Sequence, residues 1–412
     1  MSVYIIGGGV AGLAAAIGCI KRGLAVTLYE SAPQLGGRCR SYRHDSFDAV
    51  LDNGAHAVLA NNEAVNRYLG IIGASDRLQT NSRDGLNFVD LRDGKTWRFK
   101  LPRALWDSSS RPPETSTLDV LNGSRLMWGN PNASSVQILK ATPSAIDKLW
   151  EPLCTSALNT PLAEADGRIL SAVVRGMLGF SGLRLGLKLP RHSLTHTYID
   201  PAAQWLQRKG ANVRLQSPLR EIIIKGGHVE RLNFDHDTIS IGTEDRVVLA
   251  VPPWSQLMTQ AGIMTEHLKP SPIVNAHFQV VTTQASNFIG IVGGMSQWLW
   301  LRDGLATVTI SAAEAHLNTD SDVIAGKIWA EIAPIFGVPN APLPPVHVVK
   351  ERRATLRHVL GINDLRATTK SHLANLILAG DWVKSGMPCT LESAIQSGFK
   401  AAALAVRPLR RF

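Results

Sequence analysis

Cysteine is scarce in this 412-residue chain: Cys19, Cys39, Cys154 and Cys389 are scattered, with no CxxC pair among them. That spacing excludes a paired-cysteine zinc site and predicts reduced thiols in a cytoplasm rather than a disulfide framework. No metal-ligand cluster is expected elsewhere. Also missing is any uninterrupted apolar run of about 20 residues, so no span of a bilayer is expected. Met1 leads straight into an apolar strand without a basic leader, which predicts no secretory signal. Acidic residues number 33 against 43 basic ones, a formal charge of +10. No zinc-finger, RNP or helix-turn-helix signature accompanies that charge, so nucleic acid is not an expected partner. Anionic lipid headgroups or plain solvent are left to face the Lys and Arg side chains. What the chain does have is apolar residues, 45% of the total. At this length they predict a large core shared by two closely packed domains.

The first motif lies at the start. Val3 to Ile6 form a short apolar run ending in Gly7-Gly8-Gly9-Val10-Ala11-Gly12, and Leu13 to Ile20 read as a helix. A strand, a glycine turn and a helix in this order form the context that gives GxGxxG its meaning. Gly7 permits the turn, Gly9 admits pyrophosphate against the backbone, and Gly12 lets the helix lie close to the sheet. Phosphate then meets the free N–H groups of a helix N-terminus. A second strand, Ala25 to Tyr29, ends in Glu30, whose carboxylate suits a ribose 2′-OH and repels a 2′-phosphate. The nucleotide is therefore NAD or FAD rather than NADP.

Further glycine turns extend the grip. Gly36-Gly37-Arg38 follows Glu30, with Arg38 placed to contact phosphate, and Leu51-Asp52-Asn53-Gly54-Ala55-His56 offers another polar turn. Near the other end, Asn375 to Ala379 form an apolar strand followed by Gly380-Asp381-Trp382, the loop Met387-Pro388-Cys389-Thr390, and a helix from Leu391 to Ala403. Asp381 can accept hydrogen bonds from ribityl hydroxyls. The helix start offers N–H donors to a flavin edge. Matched gripping elements at both chain ends require a long ligand, and FAD is that ligand.

These residues carry a specific resemblance. The segments Val3 to Leu13, Tyr29 to Arg38 and Leu378 to Trp382 resemble the flavin amine oxidase and phytoene desaturase superfamily. Within it, Leu51 to His56, Trp150-Glu151-Pro152-Leu153-Cys154, Ala157 to Pro161, Asp200-Pro201-Ala202, Ile310 to Ala313 and Gly386 to Ala394 resemble the squalene-associated FAD-dependent desaturases. Those are the hydroxysqualene dehydroxylases of bacterial hopanoid synthesis. The chain departs from the family pattern at Ala55, Met387 and Cys389. The resemblance implies an α/β fold, amine-oxidase-like. A discontinuous Rossmann-like FAD domain (residues 1–75, 195–255 and 368–412) would hold a mixed α+β substrate domain (76–194 and 256–367). It also implies a cofactor site at Gly7, Gly9, Val10, Ala11, Gly12, Glu30, Gly36, Gly37, Arg38, Asn53, Gly54, Ala55, Gly380, Asp381, Met387, Pro388 and Leu391, with Leu219 near the adenine.

The reaction implied is reductive removal of a hydroxyl from a lipophilic isoprenoid, hydroxysqualene, to give squalene. Such chemistry needs an acid for the departing oxygen and a pocket free of stray nucleophiles. His56 is the first candidate acid and Glu151 the second. The alternatives are an isoprenoid desaturase or an amine-oxidase-type oxidase, running hydride the other way, and a non-catalytic FAD-stabilised carrier. An amine oxidase needs an aromatic cage that Trp382 alone does not build. Gly290 to Gly294 is a lone glycine cluster, so electrons are expected from NADPH or a separate reductase. Cys389 reads as a small buried residue rather than a redox thiol. Between 173 and 194, Leu178, Phe180, Leu183, Leu185, Leu187 and Leu189 alternate with Arg175, Arg184, Lys188 and Arg191. This stretch is the expected membrane-contact segment of a cytoplasmic protein held peripherally at the inner face of a bacterial membrane. Oligomeric state leaves no mark in the sequence.

Overall fold

A computed structural model describes residues 1–47, 49–82, 85–130, 132–178, 186–281 and 287–407. The apolar run Ser2–Ile6 lies at the centre of a five-stranded sheet. Across it the order is Asn212–Arg214, Ala25–Tyr29, Ser2–Ile6, Arg246–Leu249 and Leu376–Leu378, and every pairing is parallel. Successive side chains of a strand point to opposite faces. Val3, Ile5, Leu28 and Val248 accordingly bury one face against the opening helix Val10–Ile20 and the closing helix Leu391–Ala405. Ile6, Tyr29, Val247 and Leu249 bury the other against the antiparallel strands Leu219–Lys225 and His228–Phe234.

The stretch Arg214 to Ile224, which reads as one strand in the sequence, is two. Arg214 ends the edge strand of the parallel sheet, Gln216 takes φ 50°, and the next strand starts at Leu219. Pro218, lacking an N–H, cannot carry a ladder through that corner.

The second sheet has seven strands, ordered Val346–Leu356, Pro270–Gln279, Leu305–Ser311, Trp298–Arg302, Asn287–Val292, Leu86–Asp90 and Thr96–Phe99. One face is apolar: Val274, Phe278, Leu299, Val308 and Ile310 pack against the helix Ser321–Ile332 through Ile324, Ile328 and Trp329. The opposite face carries Ile273, Asn275, Phe288, Trp298, Thr309 and Ser311 over a cavity. The glycine cluster beyond Gly290 is the turn between two strands of this sheet.

The expected membrane segment is partly inside the protein. Leu187–Pro190 form a strand between Val58–Leu59 and Leu78–Ser82, Leu189 is fully buried, and Lys188 reaches Asn66 Oδ1 at 3.3 Å. Residues 179–185, including Phe180, Leu183, Arg184 and Leu185, lie outside the described residues. Among the described residues no helix is long and apolar enough to cross a membrane.

Where the opening and closing helices cross, side chains are absent by necessity. A Cβ on Gly398 would sit 2.2 Å from Ala11 O and 2.8 Å from Ala14 Cβ, and one on Gly18 would sit 2.6 Å from Ala402 Cβ. Gly326 is the contrast, an exposed position in the helix Ser321–Ile332 with open space around its missing Cβ. Gly398→Ala is therefore expected to destabilise by about 1–3 kcal/mol through overpacking. Gly326→Ala is expected to stabilise by about 0.5–1 kcal/mol through helix propensity. Urea unfolding of the two variants beside wild type reads both signs.

Candidate active site

The glycine turn after the first strand has the geometry of a phosphate cradle. Gly7 has φ +109°, where a side chain would be strained and would meet Ala250 O at 2.5 Å. The helix that follows has Gly9 as its N-cap, with no side-chain cap and no acidic residue in its first turn. Its first N–H groups are therefore open to an anion, and nothing of like charge opposes one. Gly36 N–H donates to Gly8 O at 2.9 Å, bringing the Gly36-Gly37 turn alongside Gly9. The Glu30 carboxylate is buried at the adjoining strand end, taking Gly8 N–H at 2.7 Å and Ala32 N–H at 2.8 Å. Leu219 is also buried on this side, two residues past Ser217, whose N–H donates to Glu30 O. These elements fit the adenosine and diphosphate of a dinucleotide.

Arg38 does not stand free for phosphate as the sequence suggested. Its guanidinium donates to Asp381 Oδ1 at 2.7 Å and to Ala354 O. The two residues, assigned to separate parts of the cofactor, pair with each other and join the N-terminal glycine turns to the C-terminal loop. Arg38 also lines a cavity of about 490 Å³. Asn53, Gly54, Ala55, Met387, Pro388 and Leu391 line the same space. The cofactor-gripping segments thus open directly into it.

Residues that no motif announced hold the C-terminal loop. Arg366 is buried, and its guanidinium donates to Trp382 O at 2.9 Å, Met387 O at 2.7 Å, Val383 O at 2.8 Å and Asp381 O. His358 is fully buried; Nδ1 lies 2.7 Å from Leu158 O and Nε2 accepts the Cys389 N–H at 3.0 Å. This pattern requires the proton on Nδ1. Burial pushes the ring's pKa down to about 4, so it stays neutral. Thr390 and Ser393 cap the closing helix reciprocally, leaving the Leu391 and Glu392 N–H groups ahead of the first intrahelical bond, Ala394 N–H to Thr390 O. Cys389 lines the cavity as a buried thiol whose pKa burial raises to about 12, which fits the reading of an unreactive small residue.

The two candidate acids separate. His56 is on the cavity wall, and burial lowers its pKa, so the imidazole is neutral at pH 7. Glu151 is not among the cavity-lining residues. Its carboxylate accepts from Thr155 Oγ1 at 2.8 Å and from Leu162 N–H at 3.1 Å, while Leu153, Ser156 and Ala157 of the same helix turn toward the cavity. Glu151 is a structural carboxylate, because helical spacing puts it on the other face. The sequence also missed Glu392, a cavity-lining carboxylate that takes the N–H groups of Ala64 and Val65 at 2.9 Å and whose pKa burial raises. Trp382 builds no aromatic cage, being buried with its indole N–H on Val251 O at 2.9 Å.

Comparison with known proteins agrees with this geometry. The family model described as flavin containing amine oxidoreductase matches residues 10–406. Hydroxysqualene dehydroxylase of Rhodopseudomonas palustris is 35% identical, with 98% of each chain covered; that of Zymomonas mobilis is 34% identical, covering 98% of this chain and 99% of its own. Among solved structures, an oxidoreductase from Methanosarcina mazei superposes with a TM-score of 0.76 at 15% identity, covering 98% of this chain and all of that one, a likeness of fold. With its glycine cradle, its paired Arg38 and Asp381 and a family match along nearly its whole length, the chain belongs to the flavin-containing amine oxidoreductases.

Proposed function

We propose that this FAD-dependent oxidoreductase removes the hydroxyl group of hydroxysqualene to give squalene for hopanoid synthesis. The observation that carries the reading is the cavity: the flavin-gripping loops open into a space walled by Leu86, Leu153, Val173, Met177, Phe288 and Trp298, more of its surface apolar than polar. Such a lining suits a long hydrocarbon bearing one hydroxyl. The relatives named for this activity are 32–35% identical over 98% of the chain, which favours it over a desaturase.

Reduced flavin, when bound, supplies hydride. The chain supplies everything else. Arg38 and Asp381, tied to the Arg366-held loop, orient the cofactor. The apolar wall keeps water from an allylic cation. Phe288 and Trp298, stacked at 4.8 Å, present aromatic faces to that cation. His56 delivers the proton with which the oxygen leaves as water. Reducing equivalents come from NADPH or a separate reductase.

We further propose that the protein takes its substrate from the cytoplasmic face of a bacterial membrane. Trp106, Leu118 and Leu121 are exposed, Leu118 and Leu121 lie three apart on one short helix, and Thr117 Oγ1 donates to Leu105 O at 2.9 Å, fixing that helix beside Trp106. Exposed Arg103 and Arg125 flank them in a chain of net charge +10. Exposed tryptophan with arginine suits an anionic lipid interface.

Anaerobic mixing of dithionite-reduced enzyme with hydroxysqualene tests the activity: the flavin should reoxidise and squalene should form stoichiometrically. Because the His56 pKa is lowered, its cationic form grows only below the ordinary histidine value of about 6.5. The single-turnover rate should therefore rise as pH falls through that region and should lose this limb in His56→Ala; an identical profile in the variant removes His56 from the role. Arg366→Lys, offering one ammonium where a fork served several carbonyls, should weaken FAD binding at least about tenfold in apoprotein reconstitution. Vesicle co-sedimentation should show binding to anionic rather than zwitterionic lipid, reduced severalfold in Trp106→Asp/Leu118→Asp.

A further inference from the structure

One buried side chain in the cavity has a hydrogen-bond donor with nothing to give it to. Asn275 is 1% exposed, on a strand whose neighbours in sequence face the apolar core. Thr309 Oγ1 donates to its Oδ1 at 2.7 Å, which orients the amide. The Nδ2 group makes no hydrogen bond to the described residues, and the side chain lines the cavity. A donor that opens onto a cavity and has no protein partner is free to meet an oxygen placed there.

Its surroundings say which ligand. Gly54, in a loop that grips the cofactor, has φ +135°, and a Cβ placed on it would stand 3.1 Å from Asn275 Nδ2. In the other direction the strand register sets Asn275 opposite Thr309, and Thr309 opposite Trp298. The three form one row across the sheet on the cavity side. Neighbours in such a row are about 4.5–5.5 Å apart. An oxygen held by the amide therefore keeps the carbon it is bonded to between the flavin loop and Trp298.

We propose that Asn275 Nδ2 is the donor that receives the substrate's hydroxyl oxygen and holds it while the C–O bond breaks, an assignment that rests on the dehydroxylase reading above. In the step, both electrons of the C–O bond go to oxygen, oxygen takes a proton from His56 and departs as water, and carbon takes hydride from the reduced flavin. Asn275 transfers no proton; it favours charge developing on the oxygen. The same contact distinguishes the alcohol from the alkene it becomes, so product leaves more readily than substrate.

The experiment compares Asn275→Leu, Asn275→Ala and Thr309→Val with wild type as purified FAD holoenzymes. Single-turnover reoxidation by hydroxysqualene should fall roughly 30-fold or more in both Asn275 variants, the effect of removing one oriented donor. It should fall less in Thr309→Val, where the amide survives but loses its orientation. Equilibrium binding to the oxidised enzymes should show wild type preferring hydroxysqualene to squalene, and the Asn275 variants holding both alike. Flavin content and midpoint potential should not move. Variants that react within threefold of wild type and keep the alcohol preference overturn the assignment. A shifted potential with that preference intact also overturns it, giving Nδ2 to the flavin instead. Should wild type fail to convert hydroxysqualene, the dehydroxylase reading fails, while the binding preference still decides whether Asn275 receives an alcohol.

Discussion

The buried guanidinium of Arg366 is the contact on which the site depends. A charge inside protein is costly unless its hydrogen bonds are met, and here backbone carbonyls of Asp381, Trp382, Val383 and Met387 meet them. Those carbonyls belong to the loop that presents Asp381 to Arg38 and carries Met387 and Pro388 to the cavity. His358, Asn363 Oδ1 on the Gly386 N–H and Val251 O on the Trp382 indole add single bonds to the same loop. The Arg38–Asp381 pair then joins this loop to the turns that follow the second strand, more than 300 residues earlier in the chain. The two ends of the sequence become one binding surface through arginines, whose planar, multi-donor geometry a lysine does not reproduce.

How much of this was legible in the sequence follows from how local each feature is. The cradle from Gly7 to Gly12, Glu30 and the Gly380-Asp381 strand end are short-range patterns, in which the backbone needs of a phosphate or a turn dictate glycine and carboxylate in adjacent positions. The partnership of Arg38 with Asp381 is not local, so each was assigned to the cofactor alone. Glu151 failed for a related reason. Trp-Glu-Pro marks a helix start, but nothing in three residues says which face of that helix meets a cavity formed by a distant sheet. In the expected membrane segment, the described part of the alternation is a strand, because alternating Leu and Lys is equally the pattern of one. Leu187 and Leu189 turn inward to the protein, as period-two alternation allows.

A signal for the missed cavity residues did exist. Leu-Ala-Thr-Val-Thr-Ile-Ser, residues 305–311, alternates in the manner of a half-exposed strand, yet all seven residues are buried. A polar face that water does not cover must be covered by something else. In Pro270–Gln279, Asn275 and His277 stand among apolar residues and carry the same message. His277 meets it in part, its Nδ1 bonding Thr307 Oγ1 at 3.0 Å while its Nε2 is buried without a partner among the described residues. Asn275 meets it with only one of its two polar atoms. Read this way, the seven-stranded sheet is a partition: its Val, Leu and Ile face stabilises the fold against Ser321–Ile332, and its Thr, Asn and Trp face is given to the ligand.

That partition bears on how one scaffold can run hydride in either direction. The glycine cradle comes from the parallel sheet and the two chain ends, whereas the groups proposed to meet the substrate come from the second sheet. Changing Asn275, Thr309 or Trp298 leaves the Arg366 clamp and the glycine turns untouched. An amide donor open to the cavity also suits departure of a hydroxyl better than abstraction from a saturated carbon. Ionisation calls for donors aimed at one oxygen and for the absence of bases that would deprotonate the cation. Glu392, which lines the cavity with Glu63 and Glu351, is occupied on both oxygens by the N–H groups of Ala64 and Val65. Those bonds anchor the helix Glu63–Ile72 to the closing helix, so this carboxylate has a structural task at the cavity wall.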